Sequence, residues 1–417
     1  MEFQVLKRSY LKRNIIIAVV IVLLLSAIIL TFTRAKYRVT QSMPLLNGTI
    51  NYTLADINIV AMYLDGSEID TLPDGNYELT SESYCTTEDD VRDESIILSY
   101  DSDTKGLSVS PMTRKGTKCY LYFEERASGG DYILAGDNAP DGETTDWTGG
   151  TTYYYTGNPN NWVRFAGFYW RIIRINGDKS IRMIYQGLAD SDTPDTGNMT
   201  GTGTQIGADT FNYTSNANNM YVGYMYESGQ LHGLQQSSTI KGVLDTWYMN
   251  NIANKEFGNY VDGNAGFCGD RRTSSGSGTG TSSTNYQPYA RISNSSPSLT
   301  CQTEDIYTTS GSGTGNKALT QPIGLISADE AMFVGIPNWN SSNSNSYLYT
   351  GQNYWTISPY WFNDESALVF VLYSNGSLDG GYVYIPTGIR PVINLKSDIS
   401  LTGSGSVDDP FVVVDAS

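Results

Sequence analysis

The sequence predicts three consecutive parts: an N-terminal transmembrane helix, a small all-β sandwich domain, and an α+β domain that fills the rest of the chain. Three observations support this division. One uncharged apolar run lies near the N-terminus, short strand-like segments follow at close spacing, and helix-like segments stand out only in the second half. With 417 residues, the chain is long enough for more than one hydrophobic core.

The apolar run covers residues 15–32, IIIAVVIVLLLSAIILTF, and is just long enough to cross the hydrocarbon core as a helix. Residues 1–14 carry basic side chains, which predicts that this segment stays in the cytoplasm. A cleaved signal peptide is the alternative, but the run is longer than a usual signal core and no A-x-A-like site follows. We therefore expect a single-pass signal-anchor in a cell membrane, with the bulk of the chain outside the cell.

Residues 37–125 are predicted to form a β-sandwich-like spacer domain. Segments of strand-forming residues, such as Ile57–Leu64 and Cys119–Phe123, are separated by turn signals such as Asp65-Gly66. No helical period and no catalytic constellation appear among them. Residues 126–150 are rich in Gly, Asp and Thr, which predicts a linker.

Residues 151–417 are predicted to form the α+β module. Asn176-Gly177 and Asn375-Gly376 each separate two segments of strand-forming residues, which is a strong signal for a β-hairpin. The second pair lies in the aromatic-rich segment Tyr354–Leu395, which we expect to end in a buried strand.

Two helices are predicted in the same module. Ser238 can cap a run of apolar residues at helical spacing, and Ser327 with Glu330 forms a capping-box pattern. Segments rich in Gly, Ser and Thr interrupt the module, and the pentapeptide GSGTG occurs in two of them. Such segments cannot bury enough apolar area to fold alone, so we expect surface loops.

The four cysteines fall two to each predicted domain. Outside the cell they allow three pairings, of which the domain division favours Cys85–Cys119 with Cys268–Cys301. Each bridge would close a loop worth roughly 3–4 kcal/mol in the chain-entropy model. Free buried thiols are the alternative. No CxxC pair exists and His232 is the only histidine, so neither a metal site nor a cofactor is predicted.

Charge and chemistry narrow the class of protein. The net charge is −17, and seven of the 26 basic residues but only one of the 43 acidic residues lie before residue 39, so the remainder is more acidic still. Such a body repels nucleic acid, which we exclude as a partner. Any Ser-His-Asp scheme would pass through His232, which stands in a loop-like context without a neighbouring motif. We therefore do not predict an enzyme.

Four segments together carry a family resemblance: FYWRIIRI, AGFCGDRR, YWTISPYWF and GIRPVINL. They resemble a family of membrane-anchored surface proteins of Gram-positive bacteria that carry a C-type-lectin-like C-terminal module. The resemblance covers nearly the whole chain. It implies a C-type-lectin-like fold for residues 151–417 and a place on a bacterial cell surface.

Together these observations predict a membrane-anchored extracellular binding or adhesion protein that presents its C-terminal module to glycans or surface proteins. Tyr and Trp dominate binding hot spots, and strand alternation sends one set of side chains outward. The alternative for each aromatic is a place in the core. The predicted ligand-binding residues are Tyr360, Trp361, Asn363, Tyr373, Asn375, Tyr382 and Tyr384. Two other functions stay open: an envelope-acting enzyme that uses carboxylates, and a purely structural surface protein.

Overall fold

The computed structural model describes residues 41–44, 57–73, 77–101, 106–110, 116–125, 127–195, 200–213, 217–309, 315–414 and 416. The predicted cytoplasmic segment and the predicted transmembrane helix, residues 1–14 and 15–32, lie outside this range. Among the residues described, none of the helices has the length and apolarity that a membrane span requires. The chain divides into two compact units, Met1–Arg126 and Ala127–Ser417.

The described part of the first unit consists of β-strands and their connections. The strands are β1 (Gln41–Pro44), β2 (Ile57–Leu64), β3 (Ser67–Ile69), β4 (Tyr77–Leu79), β5 (Tyr84–Thr86), β6 (Ile97–Asp101), β7 (Gly106–Ser110) and β8 (Thr117–Glu125). One sheet has the order β3-β2-β8-β4, with β5 also on β8, and the other has the order β1-β7-β6. Alternate side chains of β8 are buried, as the strand period requires. Apolar residues of both sheets share one core, among them Met62, Val109 and Phe123.

Both predicted disulfides are confirmed. Cys85 on β5 lies directly opposite Cys119 on β8, and the two form a bridge in the core of the first unit. Cys268 and Cys301 form the second bridge, within the second unit. The sequence separations are 34 and 33 residues, so each bridge constrains a substantial loop of the unfolded chain.

The second unit contains 19 described strands and four described α-helices. The strands are β9 (Gly142–Thr145), β10 (Thr151–Tyr154), β11 (Trp162–Phe165), β12 (Phe168–Ile175), β13 (Ile181–Leu188), β14 (Ala208–Asp209), β15 (Met225–Tyr226), β16 (Gln236–Ser237), β17 (Phe267–Cys268), β18 (Thr273–Ser275), β19 (Thr284–Tyr286), β20 (Ile306–Tyr307), β21 (Tyr354–Phe362), β22 (Ala367–Leu372), β23 (Leu378–Tyr382), β24 (Thr387–Gly388), β25 (Val392–Leu395), β26 (Leu401–Thr402) and β27 (Phe411–Val413). The α-helices are α1 (Gly129–Ala135), α2 (Thr239–Asn251), α3 (Gln287–Ser293) and α4 (Ala328–Phe333). Short 3₁₀ turns cover Thr202–Thr204, Asn219–Val222, Ala253–Lys255, Phe257–Tyr260 and Thr303–Asp305.

Two large sheets organise this unit. The first is eight-stranded with the order β25-β13-β12-β11-β27-β26, and β10 joins β12 to β9. The second is seven-stranded with the order β14-β24-β21-β19-β18, and β22 joins β21 to β23. Every residue of β12 is buried, and side chains from both sheets belong to one hydrophobic core. The remaining strands form two short two-stranded ribbons.

The predicted hairpins and helix starts are confirmed. Strands β12 and β13 pair antiparallel across Asn176-Gly177, and β22 and β23 pair antiparallel across Asn375-Gly376. Ser238 accepts a hydrogen bond from the Lys241 amide at the start of α2. Ser327 and Glu330 form the complete capping box of α4.

The predicted α+β C-type-lectin-like fold is wrong. The unit is mostly β-sheet, and its described α-helices are only 6 to 13 residues long. Local signals identify hairpins and caps, but they do not determine which distant strands combine into a sheet. Strand β11 pairs in parallel with β27 near the C-terminus, and β13 pairs with β25. These long-range pairings set the fold class.

The segment 126–150, for which a linker was predicted, contains helix α1 and strand β9. The Ser128 hydroxyl accepts a hydrogen bond from the Asp131 amide and so caps α1. Strand β9 pairs with β10, which adds the segment to the eight-stranded sheet. The Gly-, Asp- and Thr-rich composition does not show that the segment is ordered, because the contacts that order it come from other parts of the chain.

A buried ionic cluster joins α4 to the eight-stranded sheet. Arg174 of β12 lies directly opposite Arg182 of β13, and both guanidinium groups face the Glu330 carboxylate. Glu330 Oε1 is 2.9 Å from Arg174 Nε and 2.5 Å from Arg182 Nε, and all three side chains are at most 2% exposed. Glu330 Oε2 accepts the Ser327 amide of the capping box. Burial alone would raise the pKa of Glu330, but Arg182, Arg174 and that amide together lower it to about 2.

We expect Glu330→Gln to lower the free energy of unfolding by about 3–5 kcal/mol, because buried Arg182 loses its counter-charge and buried Arg174 keeps only Asp146, 3.9 Å from its Nη1. The folded pKa lies below the ordinary value of 4.5, so the carboxylate stabilises the fold fully above that pH. This contribution is lost as the pH falls from about 5 towards 2. Urea unfolding across this pH range measures both effects. The control is Glu365→Gln at an exposed turn, and equal pH dependence in the two variants would contradict the prediction.

We expect the double variant Cys85→Ala/Cys119→Ala to lose roughly 3–4 kcal/mol of stability in the first unit, because its unfolded chain gains loop entropy. Hydrogen exchange of amides in β2 and β8 measures the change. The matched control is Cys268→Ala/Cys301→Ala, which removes the bridge that closes a loop of similar length in the second unit. Unchanged protection in β2 and β8 of the first variant would refute the prediction.

Candidate functional site

An irregularity in strand β21 places two large aromatic side chains next to each other. Pro359 pairs with Val369 and Trp361 pairs with Leu368, so Tyr360 is an extra residue on its strand, as in a β-bulge. The ring centroids of Tyr360 and Trp361 are 5.2 Å apart. In β21 only Trp361 is partly exposed, while the rest of the strand is buried.

Tyr360 is the centre of an aromatic cluster. Its ring is 6% exposed and packs edge-on against Tyr289 of α3 at 4.9 Å and against Trp339 at 5.9 Å. The Tyr289 and Trp339 rings are nearly parallel, with an interplanar angle of 8°. Tyr289, Trp339 and Trp361 are each half-buried, and we call these three residues the aromatic surface.

Backbone geometry and one acid keep the centre of the cluster in place. A Cβ atom on Gly380 would lie 2.6 Å from the Tyr360 ring, so only glycine leaves room for that ring. The Tyr373 hydroxyl donates to the Gly380 carbonyl at 3.1 Å. Burial, and after it the charge of Asp379, raises the pKa of both Tyr360 and Tyr373. Both phenols therefore stay protonated and remain hydrogen-bond donors at neutral pH.

Tyr382 extends the same face of the sheet. Leu368 pairs with Trp361 on one side and with Tyr382 on the other, and directly paired residues point to the same face. Tyr382 and Trp361 are thus two strands apart, or roughly 10 Å. Tyr382 is 38% exposed, and its ring contacts that of Tyr384, which is 44% exposed.

The two predicted asparagines do not join these aromatics. Asn363 and Asn375 lie in the turns at opposite ends of the six-residue strand β22, which is about 20 Å long. Asn363 Oδ1 accepts the Ser366 amide, and Asn375 Oδ1 accepts the Ser377 amide. Both side chains therefore hold turns.

Tyr289 and Trp339 belong to the surface but were not predicted from the sequence. Tyr289 lies on helix α3, and Trp339 follows helix α4 in a turn. No periodic pattern links either residue to the Tyr354–Leu395 segment. Their aromatic identity is the only signal that the sequence offers, and the core alternative explains that signal equally well.

The half-buried His232 contacts a buried ion pair of Asp305 and Arg271. Its Nδ1 lies 3.0 Å from Asp305 Oδ2, and Asp305 Oδ1 accepts a hydrogen bond from Arg271 Nε at 2.9 Å. Within the described residues, no Ser or Thr hydroxyl hydrogen-bonds to His232, and all four cysteines are in disulfides. The described range also contains no group of three or more His, Cys, Asp or Glu that could hold a metal ion. The imidazole thus has an acid partner, but no nucleophile is assembled on it there.

Comparisons of the chain with family models, curated proteins and solved structures give no match.

The variants Tyr360→Ala and Tyr382→Ala compare the stability cost of removing a buried aromatic ring with that of removing an exposed one. We expect Tyr360→Ala to cost about 3 kcal/mol of stability, because it removes a buried ring that four aromatic neighbours contact. Tyr382→Ala should cost below about 1 kcal/mol, because its ring is more than a third exposed. Chemical denaturation measures both values. Similar losses for the two variants would contradict this division.

Proposed function

We propose that the chain is a membrane-anchored extracellular binding protein whose second unit holds glycans on the aromatic surface. The observation that carries the proposal is the arrangement of Tyr289, Trp339 and Trp361, three half-buried rings around the buried Tyr360. Rings that are packed on one side and open on the other are already ordered. Binding on them therefore costs little side-chain entropy.

The chemistry around Trp361 suits a sugar. The apolar C–H face of a pyranose ring can pack on an aromatic ring, while its hydroxyls need donors and acceptors at the rim. Asn285 pairs with Trp361 from β19 and therefore lies on the same face, and the Asp379 carboxylate is close to Tyr360.

The proposed location outside the cell rests on two further observations. The chain has two disulfides, and disulfides persist in an oxidising environment such as the outside of a cell. The apolar segment 15–32 with its basic flank is the proposed anchor. Surface proteins are the alternative ligands, since Tyr and Trp are also the commonest hot-spot residues of protein interfaces.

The test is binding of the full-length chain, in detergent, to an array of glycans and peptidoglycan fragments. We expect saturable binding that Trp361→Ala and Tyr382→Ala each weaken at least about tenfold, which corresponds to about 1.4 kcal/mol. The control is Tyr132→Ala on α1, because Tyr132 is 39% exposed and matches Tyr382 in type and exposure.

Two outcomes would reject the proposal. If the Trp361→Ala variant bound glycans as tightly as the parent protein, the ligand would not lie on the aromatic surface. Release of soluble fragments from peptidoglycan without lasting binding would favour an enzyme.

A further inference from the structure

A cavity of about 420 Å³ lies beside strand β12 of the eight-stranded sheet. This volume is in the range of small-ligand sites. Apart from one arginine and two tyrosines, the wall presents only amide and hydroxyl side chains. The lining residues are Asn158, Arg171, Thr200, Ser344, Asn345, Ser346, Tyr347 and Tyr349.

Arg171 is the charged group of this wall, and it is only 1% exposed. Its Nε donates to Asn161 Oδ1 at 2.5 Å, and its Nη2 donates to the Pro159 carbonyl at 2.9 Å. The guanidinium also packs on the Trp162 ring, with Cζ 4.2 Å from the ring centroid. Its Nη1 makes no hydrogen bond to the described residues, and no carboxylate there forms an ion pair with it.

The missing counter-charge sets Arg171 apart from four other buried or half-buried arginines of the unit. Arg174 and Arg182 face Glu330, Arg271 pairs with Asp305, and Arg291 pairs with two aspartates. In a chain of net charge −17, carboxylates are abundant. An unpaired buried guanidinium is costly to a fold, and a cavity wall is where a ligand anion can supply the missing charge.

Arg390 adds a second positive charge behind the wall. It is fully buried and donates to the carbonyls of Tyr185 and Leu348, and no carboxylate in the described range pairs with it. Burial lowers the pKa of Arg171 to about 9, and the nearby Arg390 charge acts in the same direction. Arg171 thus stays protonated at neutral pH. Tyr347, whose ring lies on Arg171, has a buried hydroxyl without a hydrogen-bond partner among the described residues.

We propose that this cavity binds an acidic sugar, a uronic acid whose carboxylate pairs with Arg171 and whose hydroxyls meet the amide and hydroxyl side chains of the wall. The polar lining decides between the sources of a carboxylate. A peptide C-terminus would need an apolar recess for its last side chain, whereas the exposed Asn158, Ser344 and Asn345 suit a polyhydroxylated ring. The cavity shares no residue with the aromatic surface, so the inference is independent of the proposed function.

The test is calorimetric titration of the full-length chain with D-glucuronate and D-galacturonate, beside the neutral D-glucose and D-galactose. We expect saturable binding of a uronate at least tenfold tighter than that of its neutral counterpart, and weaker binding at high salt. Arg171→Gln should abolish this preference. The control is Arg164→Gln, because Arg164 lies on the same sheet but is 40% exposed and pairs with Asp192.

Arg171→Gln removes buried hydrogen bonds, so a second variant keeps the proposal testable. Asn345→Ala alters an exposed wall residue, and we expect a severalfold loss of uronate affinity with an unchanged unfolding transition. Trp361→Ala should leave uronate binding unchanged, which distinguishes this cavity from the aromatic surface.

Equal affinity for uronates and neutral sugars, or the absence of uronate binding, would overturn the inference. So would parent-like affinity in a folded Arg171→Gln protein, and acetate or phosphate binding as tight as that of the uronates. The last would mean an adventitious ion only. Tighter binding of a short peptide through its C-terminal carboxylate would equally reject the sugar.

Discussion

The buried Glu330 carboxylate joins a helix of the second unit to its eight-stranded sheet. Arg174 and Arg182 lie opposite each other on neighbouring buried strands, an arrangement that like charges disfavour. Glu330 makes it stable because it faces both guanidinium groups from the first turn of helix α4, and its other oxygen accepts the amide of the Ser327 cap. One side chain thus caps a helix, pairs with arginines on two strands and joins the helix to the sheet.

Strand β12 contains one buried arginine that has a carboxylate partner and one that does not. Arg174 has its acid from α4, but Arg171, three residues earlier, has only neutral partners and lies on the wall of a cavity. The same buried strand therefore contributes both to stability and to the proposed acidic-sugar site. On the seven-stranded sheet, backbone geometry and not charge pairing determines where a large side chain lies. The bulge in β21 and the small Gly380 leave room for Tyr360, which in turn supports the exposed faces of its neighbours.

The sequence predicted the local structure well because the responsible signals are local. The Asn-Gly pairs marked both hairpins, and the caps at Ser238 and Ser327 marked two helix starts. Of the predicted site residues, Trp361 and Tyr382 share one sheet face and Tyr360 supports it, whereas Asn363 and Asn375 hold turns at opposite ends of a strand. Alternation cannot anticipate a bulge, so it could not tell that Tyr360 is buried beside Trp361.

By itself, the sequence determined hairpins, caps and the acidic character, because each follows from neighbouring residues or from simple counting. It favoured, among three possible pairings, the cysteine pairing that the structure has. Only the tertiary structure decided the fold class, since β11 pairs with β27 and β13 with β25 across more than 200 residues. It also decided which arginines have acids. Glu330 is recognisable as a capping residue from its spacing to Ser327, but its two guanidinium partners come from strands about 150 residues earlier. Charge compensation in a core depends on distances in space, which sequence spacing does not encode.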